Sequence, residues 1–364
     1  MPETPSPVVA FLGPEATYTH QAALSAFPAD KYELRSQTTI QDCFELVQKE
    51  KVRYGVVPFE NSSNGSVIFT LDLFVDAQNL NPDILVDGEV YLPIHHCLLS
   101  RAAPDEEHDD DNDDEESSKL SKPWRKLEGA LSPESGACTP TQAVPVPQKP
   151  RVKPNKDISH VRKLYSHPQA WGQCKLFLNT YLKGVEQQDV SSTSKAAELV
   201  AQDESGTSAA ISSKIAGEMN NLEMLAEGIE DKEGNTTRFL IIRNTQDVPL
   251  STVGLPAAAV PPPSASDEID EQSGQKYKTL VSFTVAHGEA GALADCLAVF
   301  KRYNLNLTSI NSRPSTESAW HYVFFIEFQG RKLAVGGKVN KALEELGWIA
   351  KEWRWLGSWE NKLI

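Results

Sequence analysis

Residues 8–27 read VVAFLGPEATYTHQAALSAF. The apolar run at 8–12 stops at Gly13-Pro14, and a helical spacing of apolar residues follows from about Thr19 to Phe27. A short apolar run closed by a turn reads as a buried strand, and a strand handed straight to a helix is the repeating unit of an α/β fold. The rhythm continues outward. Residues 40–51 carry a second helical pattern, and Tyr54-Gly55-Val56-Val57-Pro58 a second buried strand. Further on, Lys163-Leu164-Tyr165 is a short strand before Ser166-His167-Pro168 and a helix to about Leu182. Ser192 and Thr193 are suited to cap the helix containing KAAELVAQ, and Ser212-Ser213 to cap the helix after the strand Ala209-Ala210-Ile211. Arg238-Phe239-Leu240-Ile241-Ile242 closes with a strand. This alternation predicts a largely parallel sheet. After residue 277 the order changes to strand, helix, strand, strand, helix, strand, a ferredoxin-like βαββαβ unit.

The prolines mark where this order is interrupted. Eight of the 23 lie between Pro104 and Pro154, five between Pro249 and Pro263, and three in the first seven residues. Residues 102–157 contain the acidic run DEEHDDDNDDEE (105–116) followed by Ser, Pro and Lys, a composition too poor in apolar surface to offset the entropy of ordering it. They are expected to be a disordered insertion in a domain spanning 8–244, and 245–276 to be a linker to a C-terminal domain at 277–360. The folded stretches on either side of the insertion are expected to be the two lobes of one domain.

The 364 residues carry a net charge of −15, but ten of the 50 acids lie in the acidic run, and without it the balance is −5. No basic patch remains for a phosphate backbone, so nucleic acid is not an expected partner. No apolar run reaches the ~18 residues of a membrane span, and MPETPSPVV lacks a basic start followed by an apolar stretch. Five scattered cysteines without a CxxC pair fit free thiols in a reducing compartment, so a cytoplasmic location is expected and a zinc site is not.

Polar clusters stand at the strand-to-helix junctions: Gly13–Tyr18, Pro58–Gly65, Ser166–Ala170 and Ser192-Thr193. In open α/β sheets the carboxyl ends of strands face the ligand, and helix N-termini there offer unpaired N–H groups to carboxylate or phosphate. Each cluster taken singly also reads as a cap or a turn. No P-loop, GxGxxG, HExxH or GxSxG occurs, which removes support for nucleotide, zinc-protease and serine-hydrolase readings.

The segments GPEATYTHQAA (13–23), VPFENSSNGSV (57–67), YSHPQA (165–170), STSKAAE (192–198) and NTTRF (235–239) closely resemble, in this order, the motifs of the prephenate dehydratase family. GALA (291–294) and NSRP (311–314) resemble the phenylalanine-binding motifs of that family's C-terminal ACT domain. Taken alone, the C-terminal stretch also resembles the regulatory region of aromatic amino acid hydroxylases, whose iron-binding catalytic domain has no counterpart here. The resemblance implies an α/β fold in which a bilobed, periplasmic-binding-protein-like catalytic domain is followed by a ferredoxin-like βαββαβ ACT domain. Three departures stand out. Ala16 replaces a usual glycine, which is tolerable if that position needs no positive φ. Asn311 replaces a usual glutamate, which puts effector affinity in doubt. The 102–157 segment replaces a short connection between strands of one lobe.

The reaction implied by the resemblance is the loss of CO2 and of the ring hydroxyl from prephenate to give phenylpyruvate, with no metal or other cofactor. The motifs assign catalytic roles to Thr237, Asn61, Gln169 and Glu60, and substrate contacts to Arg238, Phe239, Thr17, Ser62, Ser166, His167, Ser192 and Thr193. Side-chain chemistry adds its own constraints. A guanidinium grips carboxylate bidentately, so Arg238 is expected to bind the dianionic substrate, with anchoring of its own strand as the alternative. Threonine is too weak an acid to match neutral pH, so Thr237 is expected to hydrogen-bond the leaving hydroxyl or to position the donor. Glu60 is either a buried acid or a structural cap. His167, before a proline at a helix start, favours a structural role. Gly291, Ala292 and Leu293, with Asn311, Ser312, Arg313 and Pro314, are the expected phenylalanine site, completed by a neighbouring subunit in a homodimer or homotetramer. Arogenate dehydratase is the nearest alternative activity, and a catalytically inactive amino-acid sensor the alternative from another class.

Overall fold

The structure is a computed structural model that describes residues 6–102, 149–246 and 276–363. The acidic run at 105–116, residues 103–148 as a whole and residues 247–275 of the expected linker lie outside these. The chain forms two compact units, Met1–Pro93 with Thr236–Ile364, and Ile94–Asn235.

The first unit begins with β1 (Val8–Leu12), α1 (Tyr18–Ala26), β2 (Glu33–Gln37) and α2 (Ile40–Gln48), and continues with β3 (Tyr54–Asn61), β4 (Gly65–Ser66), α3 (Ile68–Val75) and β5 (Ile84–Pro93). Thr39 opens α2 through a capping box with Asp42. β1 lies parallel to both β2 and β3.

The second unit holds β6 (Cys97–Ser100), β7 (Lys163–Ser166), α4 (Pro168–Gln173), α5 (Lys175–Tyr181), β8 (Glu186–Asp189), α6 (Thr193–Gln202), β9 (Ser208–Ser212), α7 (Lys214–Met219) and β10 (Glu223–Glu227). Its sheet runs β10-β6-β9-β7-β8, parallel for β7 with β8 and β9 and antiparallel at β6. Its core gathers Leu164, Phe177, Ile211 and Leu225 on one face, and Leu99, Val200 and Ala210 on the other. Ser192 and Ser213 cap α6 and α7, as expected.

The chain returns to the first unit as β11 (Thr236–Asn244), antiparallel between β3 and β5. There follow β12 (Tyr277–Thr284), α8 (Ala292–Arg302), β13 (Leu307–Pro314), β14 (Tyr322–Gln329), α9 (Lys338–Ile349) and β15 (Glu352–Glu360). The strand order β13-β14-β12-β15 is that of a ferredoxin-like unit, and β15 adjoins β5. Gly357 makes that junction possible: a Cβ there would stand 2.0 Å from the Val86 carbonyl oxygen. The result is one ten-stranded sheet ordered β13-β14-β12-β15-β5-β11-β3-β1-β2, with β4 beside β3. No helix among the described residues is long and apolar enough to cross a membrane.

Several expectations change. The sheets are mixed rather than largely parallel: β6 runs antiparallel to both β9 and β10, and β11 antiparallel to both β3 and β5. The insertion does not separate the lobes: both strands that flank it, β6 and β7, belong to the second unit. Residues 149–157, counted in the disordered segment, are packed there. The Asn155 N–H donates to the Leu225 carbonyl at 2.7 Å, and Val152 lies against the core. The helix expected up to Leu182 breaks into α4 and α5, since the Gln173 carbonyl accepts from the Asp231 N–H at 2.7 Å and Asp231 in turn caps Leu176 N–H at 3.0 Å. β8 went unread because EQQD is polar throughout; it is an exposed edge strand.

Candidate active site

Strand alternation decides which motif residues share a face. β11 pairs with β3 so that Thr237 stands opposite Asn61 and Arg238 opposite Glu60, with a register shift before Phe239. The bulge brings Asn61 beside Thr237 instead of leaving it on the face of Phe59. Asn61 Nδ2 donates to Thr237 Oγ1 at 3.0 Å and to the Thr236 carbonyl at 3.3 Å. Its Oδ1 accepts the N–H groups of Ser63 and Asn64, both at 3.0 Å. Because those two groups can only donate, the orientation of the amide is fixed. Thr237 therefore receives a hydrogen bond and keeps its own hydroxyl proton to give. Ser62 locks the same corner: its N–H donates to the Thr236 carbonyl and its hydroxyl accepts from Thr236 N–H, each at 2.9 Å. Glu60 is half-buried within β3 and caps no helix, and no ion pair reaches it among the described residues.

Arg238 points the other way. Consecutive residues of a strand face opposite sides of the sheet, so Arg238 cannot share the face of Thr237. It is buried, and Nη2 lies 2.6 Å from Glu89 Oε2 and donates to Glu327 Oε2. Lys278 Nζ lies 3.3 Å from Glu89 and 3.5 Å from Glu327, and 3.0 Å from the Tyr91 hydroxyl. Burial alone would disfavour the charge on Arg238; Glu327 and Glu89 outweigh it and hold the guanidinium protonated more firmly than usual. The same burial pushes the Tyr91 phenol up. Of the two roles open to Arg238, the structure favours the anchor. Phe239 is buried in the core with Val9, Phe11 and Tyr54. Thr17 is spent as the cap of α1, accepting from His20 N–H at 3.2 Å and donating to the Pro14 carbonyl at 2.9 Å. Next to it Ala16 has φ +64, and its N–H donates to Nδ1 of the buried His20 at 3.0 Å. The position does need positive φ, and the alanine is strained there.

In the second unit the motif residues gather where β7, β8 and β9 end and α4, α6 and α7 begin. The Ser166 hydroxyl is buried and donates to the Ile211 carbonyl at 2.7 Å. His167 caps α4, its Nδ1 accepting from Gln169 N–H at 3.3 Å. Burial lowers the pKa of its ring, partly opposed by Asp189. Ser192 caps α6 by accepting from Lys195 N–H at 3.0 Å. The side chain of Gln169 is exposed and that of Thr193 half-buried.

At the C-terminal motifs, Gly291 has φ +90 and opens α8 without a side-chain cap, while Ala292 and Leu293 pack partly on the local core. On β13, Asn311 Oδ1 accepts from the Ser66 hydroxyl at 2.7 Å, and Arg313 grips Asp72 through Nε at 2.6 Å and Nη2 at 3.0 Å. Ser312 and Pro314 are exposed on the same strand. Sequence reasoning did not find Glu89, Lys278 and Glu327. A signal existed: Glu327 stands alone in the apolar run YVFFIEFQ, and a charge within a buried strand must be paired.

The chain is similar to known proteins over nearly its whole length. The family described as prephenate dehydratase matches residues 9–109 and 141–247. The bifunctional chorismate mutase/prephenate dehydratase of Aquifex aeolicus is 32% identical over 356 residues, covering 98% of this chain and 74% of that protein. The probable prephenate dehydratase of Saccharomyces cerevisiae is 28% identical over 375 residues, covering 95% of this chain and 93% of its own. Among solved structures, the prephenate dehydratase of Arthrobacter aurescens in complex with L-Phe superposes with a TM-score of 0.68 at 24% identity, covering 97% of this chain and 90% of that one. With its motifs in order and its matches spanning nearly the whole length, this chain belongs to the prephenate dehydratase family.

Proposed function

We propose that the chain acts on prephenate with Thr237 and Asn61 at the reacting end, and that its C-terminal region is an ACT domain that binds phenylalanine and lowers the activity. The observation that carries the first part is the Asn61–Thr237 hydrogen bond. Loss of CO2 pushes electrons into the ring and expels the ring hydroxyl, which must leave as water. A hydroxyl whose lone pair is already engaged by Asn61 has its proton aimed outward, at the place where negative charge develops on the departing oxygen. Preorganised donors of this kind supply much of an enzyme's rate enhancement. Glu60 pairs in register with Arg238 and so faces away from Thr237, which leaves solvent as the source of the proton that completes the departing water.

For regulation, the support is the uncapped start of α8 at Gly291, which leaves N–H groups for an amino acid's carboxylate. Asn311 and Arg313 extend from the same region to Ser66 and Asp72, just beyond the Asn61 loop, so a ligand held there would disturb contacts next to the reacting residues. β13 is an edge strand with Ile310 exposed, which suits pairing into a homodimer or homotetramer. The buried free thiols of Cys43, Cys97, Cys174 and Cys296 suit a cytoplasmic enzyme. The test is to incubate the purified chain with prephenate and, separately, with arogenate, following the aromatic keto acid and phenylalanine formed, with phenylalanine titrated by calorimetry. Keto acid from prephenate, and inhibition by bound phenylalanine, are expected. Turnover of arogenate alone overturns the substrate, and absence of binding at millimolar phenylalanine overturns the regulation.

A further inference from the structure

Residues Glu89, Arg238, Lys278 and Glu327 form a closed cluster of two cations and two carboxylates, with side-chain exposures of 0, 6, 3 and 2%. Arg238 also lies over the rings of Phe59, Tyr91 and Trp359, with its guanidinium carbon 5.3, 5.7 and 5.9 Å from their centroids. Thr308 Oγ1 donates to Glu327 Oε1 at 2.7 Å, and the Lys362 N–H to Glu89 Oε1 at 2.9 Å, so the carboxylates are themselves held. Two of the four charges, Glu89 and Arg238, come from β5 and β11. The other two, Lys278 and Glu327, come from β12 and β14 in the C-terminal βαββαβ region.

The cluster sits one residue from Thr237 and beside the bulge that sets Thr237 against Asn61. Arg238 follows Thr237 directly, so its side chain pins the short length of β11 that carries the reacting hydroxyl. Loss of that pin leaves Thr237 held by the Asn61 amide and by the Ser62 bonds to Thr236.

We propose that Glu327 is a positioning residue that acts through Arg238 to hold Thr237 in register with Asn61, so that the C-terminal region is part of what holds the catalytic strand. This rests on the reading of Thr237 given above. A glutamate in the C-terminal region, remote from Thr237 in sequence, thereby tunes the step in which the hydroxyl leaves. It touches no substrate, so it should change kcat and leave KM nearly alone.

The test is a double-mutant cycle in the full chain between Glu327→Gln and Thr237→Ala, with prephenate turnover and thermal melting measured on all four proteins. Misplacing a reacting group by a fraction of an ångström to 1 Å costs roughly 10–100-fold. Glu327→Gln is therefore expected to lower kcat by about that factor with KM within about two-fold, and to cause no further loss in the Thr237→Ala background. An unchanged kcat, a change confined to KM, or an equal loss in both backgrounds overturns the inference. Wild-type kcat in Thr237→Ala alone would instead overturn the reading of Thr237, and this inference with it. If Glu327→Gln does not fold, Thr308→Val replaces it in the cycle, since it removes one donor to Glu327 and no charge. A smaller kcat loss that vanishes in the Thr237→Ala background supports the inference, and no loss overturns it.

Discussion

Replacing Arg238 by methionine separates its two possible roles. The variant keeps an unbranched apolar stem and removes the charge. It leaves Glu89 and Glu327 buried with Lys278 as their only cation, at 3.3 and 3.5 Å. Breaking a buried ion pair from one side costs about 3–5 kcal/mol, because the remaining charge is left without compensation. Lys278 and the Thr308 hydroxyl offset part of this, and the lost stacking on Phe59, Tyr91 and Trp359 adds to it, so about 3 kcal/mol is expected. For a unit of this size that corresponds to a fall in melting temperature of roughly 6–12 °C. The assay is a thermal melt beside steady-state kinetics with prephenate. A companion variant, Arg238→Met with Glu327→Gln, restores one cation to one carboxylate and should recover part of the loss. A single variant that melts within about 2 °C of the wild type while its KM rises ~100-fold would refute the structural reading and make Arg238 a substrate ligand.

Two further predictions concern other places in the fold. Ala16→Gly removes the strain of a non-glycine residue at φ +64 and should raise the stability by about 1 kcal/mol, read from the urea midpoint; a lower midpoint would mean that the packing of the methyl group outweighs the strain. Burial lowers the pKa of His96 from its ordinary 6.5, against the opposing effects of Gln173 and Glu230. The unfolded chain therefore binds more protons once the pH falls below 6.5, and stability should decline from there until the pH reaches the folded pKa. His96→Gln should flatten that slope in melts between pH 7 and roughly pH 5, and an unchanged slope would show that other groups carry it.

Much of the candidate site was legible because its signals are local. Ser192, Ser213 and His167 cap helices as their positions next to apolar runs suggest, and capping depends on only a few neighbouring residues. The strand and turn at residues 8–14 and the strand-to-helix order followed from hydrophobic spacing in the same way. The places of Arg238 and Phe239 follow from a rule that is also local: next to Thr237 on a strand, one of them faces away and the other lies in the core.

By itself, then, the sequence determined most of the strands and helices, though not the polar β8 or the break between α4 and α5, and which residue types stand at their ends, since those depend on neighbours within a few positions. The tertiary structure decided what pairs with what. Asn61 meets Thr237 across 176 positions, and Arg238 meets Glu327 across 89. It also decided that Ala16 must take positive φ and that β11 threads between β3 and β5. Such pairings are set by the register of strands brought together only in the folded sheet, where burying a charge without its partner would cost more than the fold can spare.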